Sequence, residues 1–270
     1  MRKLTNILLI FIVSVLITGC EDVVEIELEE SEPRLVVEAS IEWLKDTEGN
    51  FQSIKLSSTS GYYEEDAPVI TNARVRIVDT EGNVFIFDHI SEGIYRNSYF
   101  RPHLNMEYQL QIEYQEEFYT ANETFIPVVD LDYIEQTNGG GLEGDEIEIK
   151  AYYTDPANEP NYYMFTFRNE RATFEIYEDE FTDGNQIFGY FSNEDIETGD
   201  ELYIELAGIS RSYYDYLFIL RSQIGTNAGG PFETKPATVK GNIINQTNRN
   251  NYALGYFRLS QVVEADFTVD

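Results

Sequence analysis

The side chains able to do chemistry are few in kind. The sequence holds one cysteine, Cys20, and two histidines, His89 and His103, against 49 acidic residues. Cys20 follows Ile17-Thr18-Gly19, behind a basic start (Arg2, Lys3) and an apolar run over residues 7–17 broken only by Ser14. That length and flank suit a cleaved leader; a membrane-crossing helix needs about 20 apolar residues. Small residues directly ahead of a cysteine expose the bond to signal peptidase II and leave the thiol to be acylated. The expectation is a signal peptide over 1–19 and lipidation, palmitate included, at Cys20. With that sulfur acylated, no thiol remains for a disulfide, a nucleophile or a thiolate metal site.

Neither histidine has a second histidine at ligand spacing, so each reads as a satisfied or solvent-facing side chain and not as a zinc ligand or general base. The HExxH, GxSxG and P-loop patterns are absent from the sequence. Carboxylates are so abundant that glycosidase-like pairs arise by chance. No catalytic residue is assigned, and the chain is read as not an enzyme, with a hydrolase as the less favoured alternative. Glu178-Asp179-Glu180 and Asp183-Gly184-Asn185 offer the oxygens that calcium takes, but without EF-hand spacing. A charged hairpin tip accounts for them, and neither a metal nor a cofactor is expected.

The tyrosines carry more weight. Tyr213, Tyr214 and Tyr216 cannot all face one side of a helix, so some must sit at its edge with the hydroxyl wet. Core packing explains such rings, and so does contact with a ligand or partner. Tyr62 and Tyr63, flanked by Glu64-Glu65-Asp66, read as an exposed pair on a loop and complete the set of candidate contact residues.

With 18 basic residues against 49 acidic ones, the net charge is −31 over 270 residues. Such a surface repels nucleic acid and anionic lipid headgroups, so no nucleic-acid partner is expected. Aromatic residues at 14% rule out the composition of a disordered chain. Seven of the thirteen residues in 21–33 are acidic and none is basic. Self-repulsion makes that stretch an extended tether. Glu21 and Asp22, directly after the acylated cysteine, also resemble a signal for export to the cell surface.

The elements that must position these side chains are mostly strands. Leu35, Val37, Ala39, Ile41 and Trp43 alternate with mostly polar neighbours, the period of a strand with one buried face. Val75 and Ile77 precede a hairpin at Asp79-Thr80-Glu81-Gly82-Asn83, and Tyr108, Leu110, Ile112 and Tyr114 alternate again. Residues 34–127 read as an immunoglobulin/transthyretin-like β-sandwich. Within it, residues 73–125 resemble the carboxypeptidase-regulatory or transthyretin-like module, through Ala73-Arg74-Val75-Arg76-Ile77, Glu81-Gly82-Asn83, Gly93-Ile94-Tyr95 and Tyr108-Gln109-Leu110.

Residues 128–270 read as a second β-rich domain. Strands are expected at 131–134, 146–153, 162–167, 173–177, 201–206, 239–243 and 252–260, with a loop at Gly139-Gly140-Gly141. The period shifts over 212–224, where Tyr213, Leu217, Leu220 and Ile224 share a helical face. Ser212 with Asp215 suits a capping box, and Gly225 a helix stop. The fold class is thus mainly β, with one amphipathic helix.

Several of these features occur together in one family: Gly19-Cys20, Pro33-Arg34-Leu35-Val36-Val37-Glu38, Asn161-Tyr162-Tyr163, Tyr213-Tyr214-Asp215-Tyr216 and Asn251-Tyr252-Ala253-Leu254-Gly255-Tyr256-Phe257. The chain resembles the Bacteroidota lipoprotein family catalogued as domain of unknown function 4249, departing at Arg258, where a small residue is commoner. The resemblance implies a lipid-anchored outer-membrane protein, often encoded beside a TonB-dependent transporter, and brings no activity or catalytic residues. The expected role is an accessory or ligand-capturing partner of a TonB-dependent outer-membrane receptor, facing the cell exterior. A structural or assembly factor of the envelope is the alternative.

Overall fold

In the computed structural model, residues 32–61, 66–140, 146–193, 196–224 and 238–270 are described. In chain order the strands are β1 (Leu35–Leu44), β2 (Gln52–Ser58), β3 (Arg74–Asp79), β4 (Val84–Ser91), β5 (Ile94–Asn97), β6 (Glu107–Tyr114), β7 (Glu117–Thr124) and β8 (Leu131–Gly140). There follow β9 (Glu146–Thr154), β10 (Tyr162–Arg168), β11 (Ala172–Glu178), β12 (Gln186–Ser192), β13 (Glu201–Gly208), the helix α1 (Arg211–Ile224), β14 (Ile244–Asn245) and β15 (Leu254–Thr268). The protein is mainly β. Among the described residues no helix is long and apolar enough to cross a membrane.

Twelve strands form one hydrogen-bonded series, β11-β10-β13-β15-β1-β2-β5-β4-β3-β6-β7-β14, and the other three form a sheet β12-β9-β8. The long series folds round its first core because the alternating residues of β1, β2, β3 and β6 all need cover on one face. Val37, Ala39, Ile41, Ile54, Leu56, Ile77, Tyr108, Leu110 and Ile112 are all buried there. The ring nearly closes where Ile126 bridges β15: its N–H donates to the Leu259 carbonyl at 3.2 Å, and Gln261 N–H donates back at 2.9 Å. Ile243, Ala253, Phe257 and Leu259 also enter this first core from the far end of the chain.

β15 is the shared element. Its first part runs parallel to β1, from Val36 opposite Leu254 to Leu44 opposite Val262. Its second part is antiparallel to β13, ending with Thr268 opposite Glu201. The parallel pairing needs Gly255: its φ is +91°, and a Cβ there would stand 2.0 Å from the Val37 carbonyl oxygen.

A second core lies between the β12-β9-β8 sheet and the β10, β13 and β15 strands, built on Ile149, Tyr153, Tyr163, Phe165, Phe167, Leu202, Ile204 and Leu206. The opposite face of β10 and β13 carries a third, smaller core, Met164, Ala207, Ile209, Val262 and Leu217, and α1 covers it.

The hairpin at Asp79 forms as expected. Asp79 Oδ1 accepts from the Glu81 and Asn83 N–H groups at 3.0 and 2.8 Å. Burial of this carboxyl would raise its pKa, but the bonds from Asn83, Glu81 and Gly82 outweigh that and hold it below the usual range.

Several details differ from the sequence reading. The helix cap is Ser210, not Ser212: Ser210 Oγ accepts from the Tyr213 N–H at 3.2 Å. Asp215 instead pairs with Arg211 one turn back, at 3.9 Å. Gly139 and Gly140 end β8 rather than forming a loop, since β9 pairs with the strand as far as Gly140. The strand expected at 239–243 is displaced to Ile244–Asn245, and β15 runs on to Thr268. β12 was not expected. Gly225 lies outside the described residues.

Candidate functional site

Two of the tyrosine motifs come together in space. Tyr213 and Tyr216 of α1 pack on Tyr256 of β15, with ring centroids 4.8 and 4.9 Å apart. Tyr214 turns the other way, onto Tyr162 at 5.3 Å. All three helix tyrosines are half-buried, around the buried Leu217. They therefore serve the packing of α1, and burial raises the pKa of each.

Beneath this aromatic lid lies a buried charged group. Arg258, 4% exposed, bonds Glu42 of β1 through Nη2 and lies 5.5 Å from the Tyr213 ring centre. Its Nε and Nη1 have no hydrogen-bond partner among the described residues, and neither has Ser260 Oγ two positions on. Glu205 of β13, 6% exposed, accepts from the Tyr203 hydroxyl at 3.2 Å. Burial first, and then the charge of Glu42, push its carboxyl up to about 7 against the opposing pull of Arg258.

At the N-terminal end of α1, Glu123 is buried as well. It accepts from the Thr124 N–H at 3.0 Å, the Ser210 hydroxyl at 3.0 Å and the Tyr256 hydroxyl at 3.3 Å. Burial raises its pKa despite these bonds. The arrangement locks α1 to β7 and β15 through polar contacts at one end, while Arg221 grips Glu175 of β11 near the other, at 2.5 and 2.9 Å.

A second aromatic group covers the outer face of the β12-β9-β8 sheet, and sequence reasoning missed it. Register places Tyr133, Tyr152 and Phe188 in one row across the three strands. Glu135, Lys150 and Tyr190 form the next row. Tyr133 stacks on Tyr152 at 4.4 Å with 18° between the planes, and Tyr152 meets Phe188 at 5.2 Å. The alternation of Ile147, Ile149, Ala151 and Tyr153 with Glu148, Lys150 and Tyr152 was the available signal: it assigns the second set to solvent.

The residues able to hold a hard cation are Asp155, Asp179 and Asp183, whose carboxylate oxygens lie within 4.8 Å of one another. Each already accepts protein hydrogen bonds. Asp155 takes the Tyr163 hydroxyl at 2.7 Å and the Gly184 N–H at 3.1 Å. Asp179 takes the Asn161 N–H and Asp183 the Asn158 N–H, both at 2.8 Å. These bonds tie the β9–β10 connection to the β11–β12 connection. The latter is not the hairpin tip expected from the sequence, because β11 pairs with β10 and β12 with β9 in a different sheet.

His89 packs edge-on against Tyr95 at 5.3 Å and lines a 230 Å³ cavity with Arg74, Arg76, Ile86 and Asp88. The backbone of His103 binds the Tyr108 hydroxyl in a turn. A larger cavity of 690 Å³ lies among Asn169, Arg171, Thr173, Phe191 and Asp200. Cys20, Tyr62 and Tyr63 lie outside the described residues.

The architecture defines a mainly β protein, in which one long strand joins two layered cores and a single described helix is pinned over the joint. The chain belongs to the family described as Domain of unknown function (DUF4249), whose model matches residues 21–266. No curated protein matches it. Among solved structures, it is similar to a DUF4785 family protein from Legionella pneumophila at 13% identity, covering 67% of this chain and 54% of that one, with a TM-score of 0.26. The chain thus spans about half the length of that relative. It is also similar to a segment of two fibronectin type-III domains from chicken tenascin, at 13% identity over 65% of this chain and 90% of that one, with a TM-score of 0.20.

Proposed function

We propose that this chain is a non-enzymatic lipoprotein, anchored in the outer membrane by acyl chains on Cys20 and facing the cell exterior. There it acts as an accessory or ligand-capturing partner of a TonB-dependent transporter. The observation that carries this reading is the order of segments: a basic and apolar leader, Gly19-Cys20, an acidic run, and then a folded body from Leu35. Fourteen residues separate Cys20 from Leu35, so the body stands no farther than about 50 Å from its lipid. Each buried methylene of the acyl chains contributes about 0.8 kcal/mol, and two or three chains hold firmly. A solvent-facing aromatic sheet on that body suits capture.

Two measurements test it. Radiolabelled palmitate is expected to enter the wild type and not the Cys20→Ser variant, which leaves the membrane fraction. Purification in mild detergent is expected to bring down a β-barrel receptor. Label-free wild type with an equally membrane-bound serine variant overturns the anchor; recovery of the lipoprotein alone overturns the partnership.

A further inference from the structure

We propose that the outer face of the β12-β9-β8 sheet is a binding site for a neutral oligosaccharide, with Tyr133 as its stacking platform. The inference deepens the ligand-capturing reading and rests on that part of it.

The orientation of Tyr133 is the first argument. Its ring lies on Tyr152, nearly parallel. Its hydroxyl stands 3.5 Å from Gln186 Oε1 on β12, across the intervening strand β9. A tyrosine that spans from β8 to β12 lies along the sheet and does not stand off it. One ring face is covered by Tyr152, so the 48% exposure of the residue belongs to its other face and rim. A flat, supported, solvent-facing ring is what the C–H face of a pyranose packs against, and the rigid support keeps the entropy cost low.

The polar surround is the second. Asp132 Oδ2 accepts from Gln186 Nε2 at 2.6 Å and from Thr154 Oγ1 at 2.8 Å, and all three residues are exposed. Carboxylate, amide and hydroxyl together supply donors and acceptors beside the ring, which matches sugar hydroxyls that both donate and accept. Tyr190, also exposed, stands on the same face in the next row, its hydroxyl 3.0 Å from Glu148. Two strands across and two residues along separate Tyr133 from Tyr190 by about 12 Å, more than one sugar ring covers, so the ligand is an oligosaccharide.

Charge selects among ligands that stack. Asp132, Glu135 and Glu148 line the face with one cation, Lys150, which Glu148 holds at 3.1 Å. With a net charge of −31 behind them, nucleobase phosphates and acidic glycans are repelled. A neutral sugar carries no such penalty, and its hydroxyls form charge-assisted bonds with the carboxylates.

The test is affinity electrophoresis of the purified full-length protein in mild detergent, through gels containing hydroxyethyl cellulose, galactomannan or starch, with polygalacturonate and an oligolysine as contrasts. At least one neutral polymer is expected to retard the protein, and polygalacturonate is not. Tyr133→Ala is expected to weaken the affinity at least tenfold with an unchanged unfolding midpoint, and Asp132→Ala to weaken it severalfold. If Tyr133→Ala does not fold, Asp132→Ala decides. Retardation by none of the three neutral polymers, retardation by oligolysine alone, or undiminished binding in the deciding variant overturns the inference. A barrel receptor that still co-purifies when sugar binding is absent sinks this inference and leaves the transporter partnership standing.

Discussion

Replacing Glu205 by glutamine isolates the electrostatics beneath α1. The folded protein holds the Glu205 proton up to about pH 7, whereas an unfolded chain releases it near 4.5. Between those values the folded state binds more protons, so the stability contributed by this group falls as pH rises from 4.5 to about 7 and is level above. At about 1.4 kcal/mol for each pH unit separating the two values, the full cost is about 3 kcal/mol. Moving from about pH 5.5 to about pH 8.5 captures about 2 kcal/mol of it. Glu205→Gln keeps the shape and removes the titration. Its stability relative to the wild type is therefore expected to rise by about 2 kcal/mol over that interval. Arg258, Glu42, Glu264 and Tyr203 face the same group and stay unchanged, so taking the difference between variant and wild type cancels their titration to first order. Urea unfolding followed by Trp43 fluorescence at both pH values reads the effect. A difference that stays constant to within about 0.5 kcal/mol refutes the reasoning and places Glu205 as an ionised partner of Arg258.

Gly255→Ala is expected to cost at least about 3 kcal/mol or to abolish soluble expression, because the new methyl collides with the Val37 carbonyl and splits β1 from β15; unfolding in urea measures it. Ser210→Ala removes the helix cap and one bond to Glu123, and should lower stability by about 1–2 kcal/mol. Proteolysis near 211–224 should quicken in that variant, and equal cleavage rates would show that the cap does not hold α1.

The strands with one polar face were legible. In β1, β3 and β6 each buried apolar residue is followed by an outward one, and that pattern alone names the core face. β12 was hidden because its outward side is aromatic and one inward position is Gly189, so Gln186–Ser192 shows no polar and apolar alternation. β15 was cut short because its partner changes near Val262, from β1 to β13, and the burial pattern changes with it. The tyrosine helix and the segment around Tyr256 were each visible in the sequence, yet nothing in their spacing said that they meet. Arg258 registered only as a departure from the family pattern, and the structure gives it a partner in Glu42. Asp155 joins Asp179 and Asp183 across two connections, which a local spacing rule cannot see.

The parallel pairing of β1 with β15 also governs when the chain can fold. The two strands lie more than two hundred residues apart, so the first core lacks one wall until residues 254–262 have been made and delivered. Local hairpins such as β6–β7 can form early, but the ring they belong to stays open, and closing so long a loop is slow. A chain whose N-terminal third is forced to wait for its C-terminal strand keeps the edge of β1 unpaired for longer, and that edge is open to wrong partners until β15 arrives.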